Sequence, residues 1–493
     1  MSTPCPAPFN LARYVLEAGG AVPDKIALAV IGPAKAQRWS YARLTAAVRG
    51  MATGLLSHAD AGARVLLRLG NTPDFPVAFL GAIAAGMVPV PTAAALTGPE
   101  ISKMAARVPP TLILAHDGIA LPDSGAPVLR DLAGLMDNSP ADYAMGDPGR
   151  LAYIVFTSGS SGVPRAVAHA HRAVWARRMM WDGWYGLTPE DRLLHAGAFN
   201  WTFTLGTGLL DPWAIGATAL IPEEGTPAER LPLLLKRHDA SLFAAVPGVY
   251  RRILKQDGPL DLPKLRHGLA AGEPLPAELR QRWRTATGTD IHEALGMSEC
   301  STYISGSPTR PAPDGSAGYP QPGRRIAVLA ADGAEMPVGQ TGALAIHRSD
   351  PGLMLGYLDD KGPDLPLSAE WFLTGDMVTR DPDGAIRFAA RSDDLMNAGG
   401  FRVSPREIEE AFEGAPGLED CAAFSLEVRP GTFVVALAHA GTSDEAGLAA
   451  FAEGRLARYK QPRLYFHLDA LPRSRNGKLD RKRLVPIAKE RMP

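Results

Sequence analysis

Residues 153–167 read YIVFTSGSSGVPRAV, and the fold is best approached from this stretch. A β-branched and aromatic run ends in Thr157-Ser158-Gly159-Ser160-Ser161-Gly162. Hydroxyls and backbone N–H groups beside glycines can converge there on the oxygens of an anion. Arg165 adds a cation within reach of the same anion. In isolation the stretch also suits an ordinary Ser/Gly turn. It lacks the G-x-x-x-x-G-K-[ST] spacing of a Walker A loop, and Gly206-Thr207-Gly208 completes no dinucleotide fingerprint, because Asp211 stands at the final glycine position.

Outward from that loop, from about residue 60 to 300, short apolar runs alternate with helical patterns. ARVLLRLG (63–70), MVPVP (87–91), TLILAH (111–116), LAYIVFTSG (151–159), SLFAAVP (241–247) and LRHGLAAG (265–272) are predicted strands, bounded by Gly, Pro or polar turn residues. PAELRQRWRTATG (276–288) is a predicted helix opened by Pro276 and closed by Gly288. Alternation of this kind predicts a layered α/β architecture with largely parallel sheets covered on both faces. Ligands in such folds gather where loops leave the strand ends. The uncharged stretch from Phe75 to Pro99 is long enough to cross a bilayer, for which roughly 20 residues are needed. Gly81, Gly86, Pro89 and Pro91 interrupt it, so a buried helix followed by the strand MVPVP is expected in place of a membrane span.

After Cys300 the pieces RRIAVLAADG, GALAIH and AIRFAARS, separated by Gly/Pro turns, suggest a small β-rich subdomain. A helix is expected at SPREIEEAFEG (404–414), with Ser404 as N-cap, Pro405 at its first position and Glu407 at the capping-box position. The strand TFVVALAHA, a helix near 444–458 and a basic tail complete a separate α+β unit. The expected fold class is therefore α/β: a large N-terminal domain, 1–391, of two layered α/β subdomains plus the β-rich one, and a smaller mobile α+β domain, 392–493.

With 493 residues, 46% of them apolar, the chain can bury a large core and exceeds one ordinary domain. Fifty-one Lys+Arg against 52 Asp+Glu give a formal net charge of -1, no global field to recruit nucleic acid or an acidic membrane. Three widely spaced cysteines, Cys5, Cys300 and Cys421, fit free thiols in a reducing compartment, the cytoplasm, better than a disulfide framework. The N-terminus carries no export-signal pattern.

TSGSSGVPRA (157–166) resembles the phosphate-loop signature of the adenylate-forming superfamily: acyl- and aryl-CoA synthetases, carrier-loading adenylation domains and luciferases. Arg165 stands where that family carries Lys, and Ala166 where it carries Gly. Further stretches match in the family's order. LAAGEPLP (269–276) resembles the segment whose Ala271, Gly272 and Glu273 lie against adenine. HEALGMSE (292–299) resembles the motif in which Ser298 bonds phosphate, Glu299 carries Mg²⁺, and Glu293 and Leu295 sit by the base, Leu295 replacing an aromatic. Hard Mg²⁺ favours one or two carboxylates shared with substrate phosphates. The resemblance makes Asp376, in Thr374-Gly375-Asp376, and Arg391 ribose ligands, and a carboxylate can accept from both sugar hydroxyls. It makes Asp393 the hinge, Gly399 and Gly400, with Arg402 nearby, the passage for the pantetheine arm of coenzyme A, and Lys478, in LPRSRNGKLDRKRL, the adenylation lysine. Outside that context the Arg/Lys-rich tail would be a solvated basic face.

The activity so implied is an ATP-dependent carboxylic acid:CoA ligase working through an acyl-adenylate, with ATP, Mg²⁺ and coenzyme A. AGAFNWTFTLGTGLLDPW (196–213) aligns with the family's acid-pocket segment and most resembles aryl-CoA ligases of the benzoate type. Trp201 and Phe203 would wall an apolar slot, with Gly296, Thr302 and Tyr303 near it. No Lys or Arg stands among these residues to pair with a second carboxylate, so a monoacid with a ring or a short-to-medium chain is expected. Two other readings stay open: an enzyme loading a separate phosphopantetheinyl carrier protein, and a catalytically silent nucleotide-binding regulator. His169-x-His171 has no partners at metal spacing, Ser160 and Ser161 lie in no G-x-S-x-G elbow, and Cys300 suits a small buried hydrophobe.

Overall fold

Strand Leu151–Thr157 pairs antiparallel with strand Arg165–Ala170, Thr157 opposite Arg165, and the sheet continues through Gly356–Asp359 to Gly362–Asp364. This corrects the expectation that the 151–159 run belongs to the parallel alternation. A parallel crossover needs a dozen or more residues, and the next strand begins at Arg165, so the chain turns straight back. The computed structural model describes the chain apart from residues 1–3, 158–163, 257, 392–395, 399–400, 430–431, 454, 457, 459, 475–476, 478 and 493, and apart from the side chains of 397, 398, 401, 402, 429 and 432.

Packing divides the chain into two units, Met1–Arg325 with His347–Phe372, and Ile326–Ile346 with Leu373–Pro493. In the first unit the predicted parallel order is realised twice. Val88–Pro91, Arg64–Arg68, Leu112–Ala115 and Val128–Leu129 form a parallel sheet. A larger sheet has a parallel centre, in the order Ile291–Met297, His267–Ala271, Leu242–Ala245, Arg192–His195, Thr218–Pro222 and Ile26–Ile31. Its edges are antiparallel, Ala36–Ser40 on one side and Ser301–Ser305 with Tyr319–Pro320 on the other. The helix Asp74–Ala84 is buried at every residue from Phe75 onward, as its uncharged sequence there requires, and is followed by the buried strand Val88–Pro91. No described helix is long and apolar enough to cross a membrane. Helix Ala277–Thr287 starts after Pro276 and stops at Gly288, which takes φ +72°, a backbone angle glycine adopts without steric cost.

The second unit holds the sheet Ile326–Leu329, Thr341–His347, Trp371–Arg380 and Ile386–Arg391. It also holds a three-stranded sheet of Leu418–Arg429, Thr432–Gly441 and Leu464–His467. Helix Pro405–Ala411 begins at Ser404, whose Oγ accepts from Glu407 N at 3.5 Å and donates to the Ala389 carbonyl. The Glu407 carboxylate pairs with Lys460 instead of closing the capping box. The helix expected near 444–458 spans Glu445–Ala452. The basic tail differs from a plain solvated face: Arg481–Arg491 is a helix that buries Leu484 and Ala488 under the three-stranded sheet, while Arg481 Nη2 reaches Glu409 Oε2 at 2.7 Å.

Candidate active site

Glu299 sits in the turn between strands Ile291–Met297 and Ser301–Ser305 and is 8% exposed. Its Oε1 accepts from the Tyr357 hydroxyl at 2.8 Å, and its backbone carbonyl accepts from Met354 N at 2.8 Å. Tyr357 pairs with Val167 across the sheet, and its ring centroid lies 4.9 Å from the Arg165 guanidinium. Burial, followed by the Glu299 charge, pushes the Tyr357 phenol up to about 12, so it stays a protonated donor. The hairpin strands flanking residues 158–163 thus carry Thr157 and Arg165 at their ends, with Tyr357 and Glu299 behind Arg165.

Beside this row, His169 Nε2 donates to the Ser298 carbonyl at 2.8 Å, and its ring stacks on Tyr153 with centroids 4.8 Å apart. Burial lowers the imidazole to about 4, which keeps it neutral. His171 accepts from Leu11 N at 3.0 Å. Both histidines of the H-x-H pattern are structural. Cys300 is fully buried, and burial pushes its thiol up. Cys5, Cys300 and Cys421 are all free.

On the side expected to face adenine, Ala271 ends the strand His267–Ala271 and Gly272 takes φ +94°, where an added Cβ would lie 3.2 Å from the Trp201 ring. Glu273 follows, half-buried. Glu293 Oε1 accepts from Leu275 N at 3.2 Å, and its Oε2 lies 3.6 Å from Arg280 Nη2. Leu295 lies opposite Ile304. Trp201 meets Phe203 edge to face at 5.2 Å, Phe203 stacks on Trp184 at 5.9 Å, and these rings share one apolar cluster with Met180, Ala271 and Ala294. Thr302 joins it by donating to Met180 Sδ at 2.6 Å. Tyr303 is fully buried, with its hydroxyl 4.0 Å from Met297 Sδ. Gly296 acts through its lack of a side chain, since a Cβ there would lie 2.6 Å from the Ser301 carbonyl oxygen.

The segment 196–213 itself carries no Lys or Arg, but the fold brings one to it: Arg177 packs on Gly206, where an added Cβ would lie 2.3 Å from the guanidinium carbon. Asp211 already occupies it, accepting from Nε at 2.8 Å and from Nη2 at 2.6 Å. Tyr185 donates to Asp211 at 2.7 Å. The cation is therefore committed inside the protein and offers little charge to a second substrate carboxylate. Sequence reasoning missed Arg177, Asp211, Tyr185 and Tyr357. The one available signal was an acid set inside the apolar run GLLDPW, which must find a partner once buried.

In the second unit, Asp376 and Arg391 are cross-strand neighbours, and Arg391 Nη1 donates to Asp376 Oδ1 at 2.7 Å and to the Thr374 carbonyl at 3.1 Å. The two proposed ribose ligands are thus adjacent. Ser158, Gly159, Ser160, Ser161, Gly162, Asp393, Gly399, Gly400 and Lys478 lie outside the described residues, as does the side chain of Arg402.

Among the described residues no group of three or more His, Cys, Asp or Glu gathers around a metal site. A divalent ion would depend on Glu299, whose Oε1 is turned to Tyr357, together with phosphate oxygens of a nucleotide. That donor set fits a hard ion shared with substrate.

A Ser/Gly segment between paired strands, a buried carboxylate in the turn before Ser301 and an aromatic cluster beside a strand-end glycine are thus all features of the first unit. The chain belongs to the AMP-binding enzyme family, which it matches over residues 16–358, and residues 407–478 match the family's C-terminal domain. A benzoate–CoA ligase of Thauera aromatica is 29% identical over 466 residues, covering 85% of each chain. A 4-hydroxybenzoate–CoA/benzoate–CoA ligase of Rhodopseudomonas palustris is 29% identical over 85% of this chain and 83% of its own. The crystal structure of a benzoate CoA ligase from Burkholderia xenovorans LB400 superposes with a TM-score of 0.83 at 26% identity, covering 97% of this chain and 99% of that one.

Proposed function

We propose that this chain is an AMP-forming carboxylic acid:CoA ligase acting on an aryl or other apolar monoacid. Family membership across both matched segments supports the reaction class, and the benzoate-activating relatives support the acid class. The observation that carries the reading is the row of Arg165, at the start of its hairpin strand, with Tyr357 and Glu299 behind it.

In the first half-reaction a carboxylate oxygen attacks the α-phosphorus of ATP, the bond to the bridging oxygen of pyrophosphate breaks, and an acyl-adenylate forms. Both reactants are anions. Arg165 and the loop donors would neutralise charge that builds on the phosphate oxygens, and Lys478 would add a second cation there. Losing one such preorganised donor typically costs about 2.7–4 kcal/mol of transition-state stabilisation. Glu299 would hold Mg²⁺, which supplies further positive charge at those oxygens. The row Phe203, Trp201 and Gly272 would orient the acid and exclude water. In the second half-reaction the thiol sulfur of coenzyme A attacks the acyl carbon and AMP leaves. Lys478 has no task there, so residues 392–493 would act as a mobile domain turning at Asp393 to offer Gly399, Gly400 and Arg402 to the pantetheine arm.

Carboxylic acids screened for pyrophosphate release, with and without coenzyme A, test the reading. Acid-dependent release and a CoA-dependent thioester are expected. Thioester formed only on a carrier protein would change the acceptor, and no release with any acid would leave a nucleotide-binding regulator. Lys478→Ala is expected to reduce adenylate formation by about a hundredfold or more while sparing thioester formation from supplied acyl-adenylate. Equal loss of both steps would refute that role for the lysine.

A further inference from the structure

Ser301 has a backbone angle that its side chain does not favour. It opens the strand Ser301–Ser305 at φ +62°, in the left-handed region where a residue with a Cβ is strained, and it lies two positions after Glu299 and directly before Thr302. Such a conformation persists only where its surroundings enforce it. The surroundings here are specific. Arg177 Nη1 donates to Ser301 Oγ, while the rest of the guanidinium is fixed by the two bonds to Asp211. Side-chain exposure of the Arg177–Asp211 pair is 8% and 1%.

Two irregular helices supply further members of the network. Tyr185 comes from the π-helical turn Trp181–Tyr185, and Thr207 from the π-helical turn Thr204–Leu210, which carries the residue after Phe203. Tyr185 and Thr207 share a hydrogen bond of 2.9 Å, and Tyr185 donates to Asp211 as well. Burial raises the Tyr185 phenol well above its usual value, so it remains a donor. Helical turns of this wide type cluster at functional sites.

We infer that the Arg177–Asp211 pair is a positioning device that holds Ser301 in its left-handed conformation and so sets the direction of the Glu299 carboxylate on one side and of Thr302 on the other. The inference rests on the proposed role of Glu299. The acid-pocket segment 196–213 and the Glu299 turn then share one anchor, and a shift in either changes the other. Arg177 and Asp211 touch no substrate in this account; they act through Ser301.

The contrast between two substitutions at one position tests it. Ser301→Ala keeps the Cβ and removes the tether, so the turn is expected to relax: acid-dependent pyrophosphate release falls about tenfold, and the Mg²⁺ concentration for half-maximal binding of ATP, read by calorimetry, rises by a similar factor. Ser301→Gly also removes the tether but accepts positive φ freely, so both quantities are expected within about threefold of wild type. Both variants leave Arg177 Nη1 without its serine, so that loss cancels in the comparison. Replacing the pair together, Arg177→Met with Asp211→Leu, removes both buried charges at once, which proteins often tolerate. It is expected to copy Ser301→Ala and to recover when Ser301→Gly is added. Alanine and glycine behaving alike, or glycine failing to rescue the paired variant, would overturn the inference. If the paired variant does not fold, the Ser301 contrast decides. Wild-type activity is measured first, so failure of the proposed reaction is seen separately.

Discussion

Asp211 and Glu299 are both buried carboxylates of the first unit, yet the protein treats them in opposite ways. Asp211 receives two hydrogen bonds from one guanidinium and a third from Tyr185. Glu299, among the described residues, receives one, from Tyr357. A carboxylate whose acceptor positions are filled by its own chain is part of the architecture. One left with capacity to spare is suited to be completed by something that arrives, since a carboxylate offers about four lone-pair sites.

The sharpest way to break this comparison is to remove each acid in turn. Asp211→Ala strands the Arg177 guanidinium inside the protein and is expected to cost about 3–5 kcal/mol of stability, seen in urea or thermal unfolding, with activity lost because the fold is lost. A Tm near wild type would show that the pair is not structural. Glu299→Gln keeps the shape and the bond from Tyr357, so the unfolding midpoint is expected to hold. Adenylate formation is expected to fall about a hundred- to a thousandfold, as for loss of one preorganised electrostatic contact. A large stability loss with intact turnover per folded molecule would reverse the assignment of the two acids. Tyr357→Phe is the gentlest probe. It removes one hydrogen bond to a charged group, about 1.5–3 kcal/mol at most, and about a tenfold fall in kcat for pyrophosphate release is expected with little change in the acid KM. An unchanged kcat would mean that Glu299 keeps its place without the phenol.

Much of this architecture can be read before any coordinates, and the unread part has a common cause. The strands around Arg64, Leu112, Leu242 and His267, the helix after Pro276 and the cap at Ser404 are local events, written in hydrophobic runs and in residues with particular backbone preferences. The direction in which Leu151–Thr157 finds its partner is not local; it depends on how soon Arg165–Ala170 begins and on the edge that Gly356–Asp359 offers nearly 200 residues later. The site follows the same rule. Glu299, Asp376 and Arg391 stand in contiguous motifs and could be named from the chain alone. Tyr357 and Arg177 stand in no motif, and they matter because the fold carries them to Glu299 and Ser301. Even Arg177 was visible indirectly, because an aspartate lodged between Leu210 and Pro212 needs a counter-charge that the neighbouring sequence does not supply.

The antiparallel return from Leu151–Thr157 to Arg165–Ala170 has a last consequence for how this enzyme meets a polyanion. Where a strand feeds a helix, the peptide dipoles of that helix lend a fixed positive end to the loop. Here the chain re-enters extended structure at Arg165, so no helix starts there to lend its dipole, and in the proposed site the exposed Arg165 guanidinium would supply formal charge beside the loop donors. That share of the attraction would fade as ionic strength rises, so nucleotide affinity at the proposed site would respond to salt and to single charge swaps.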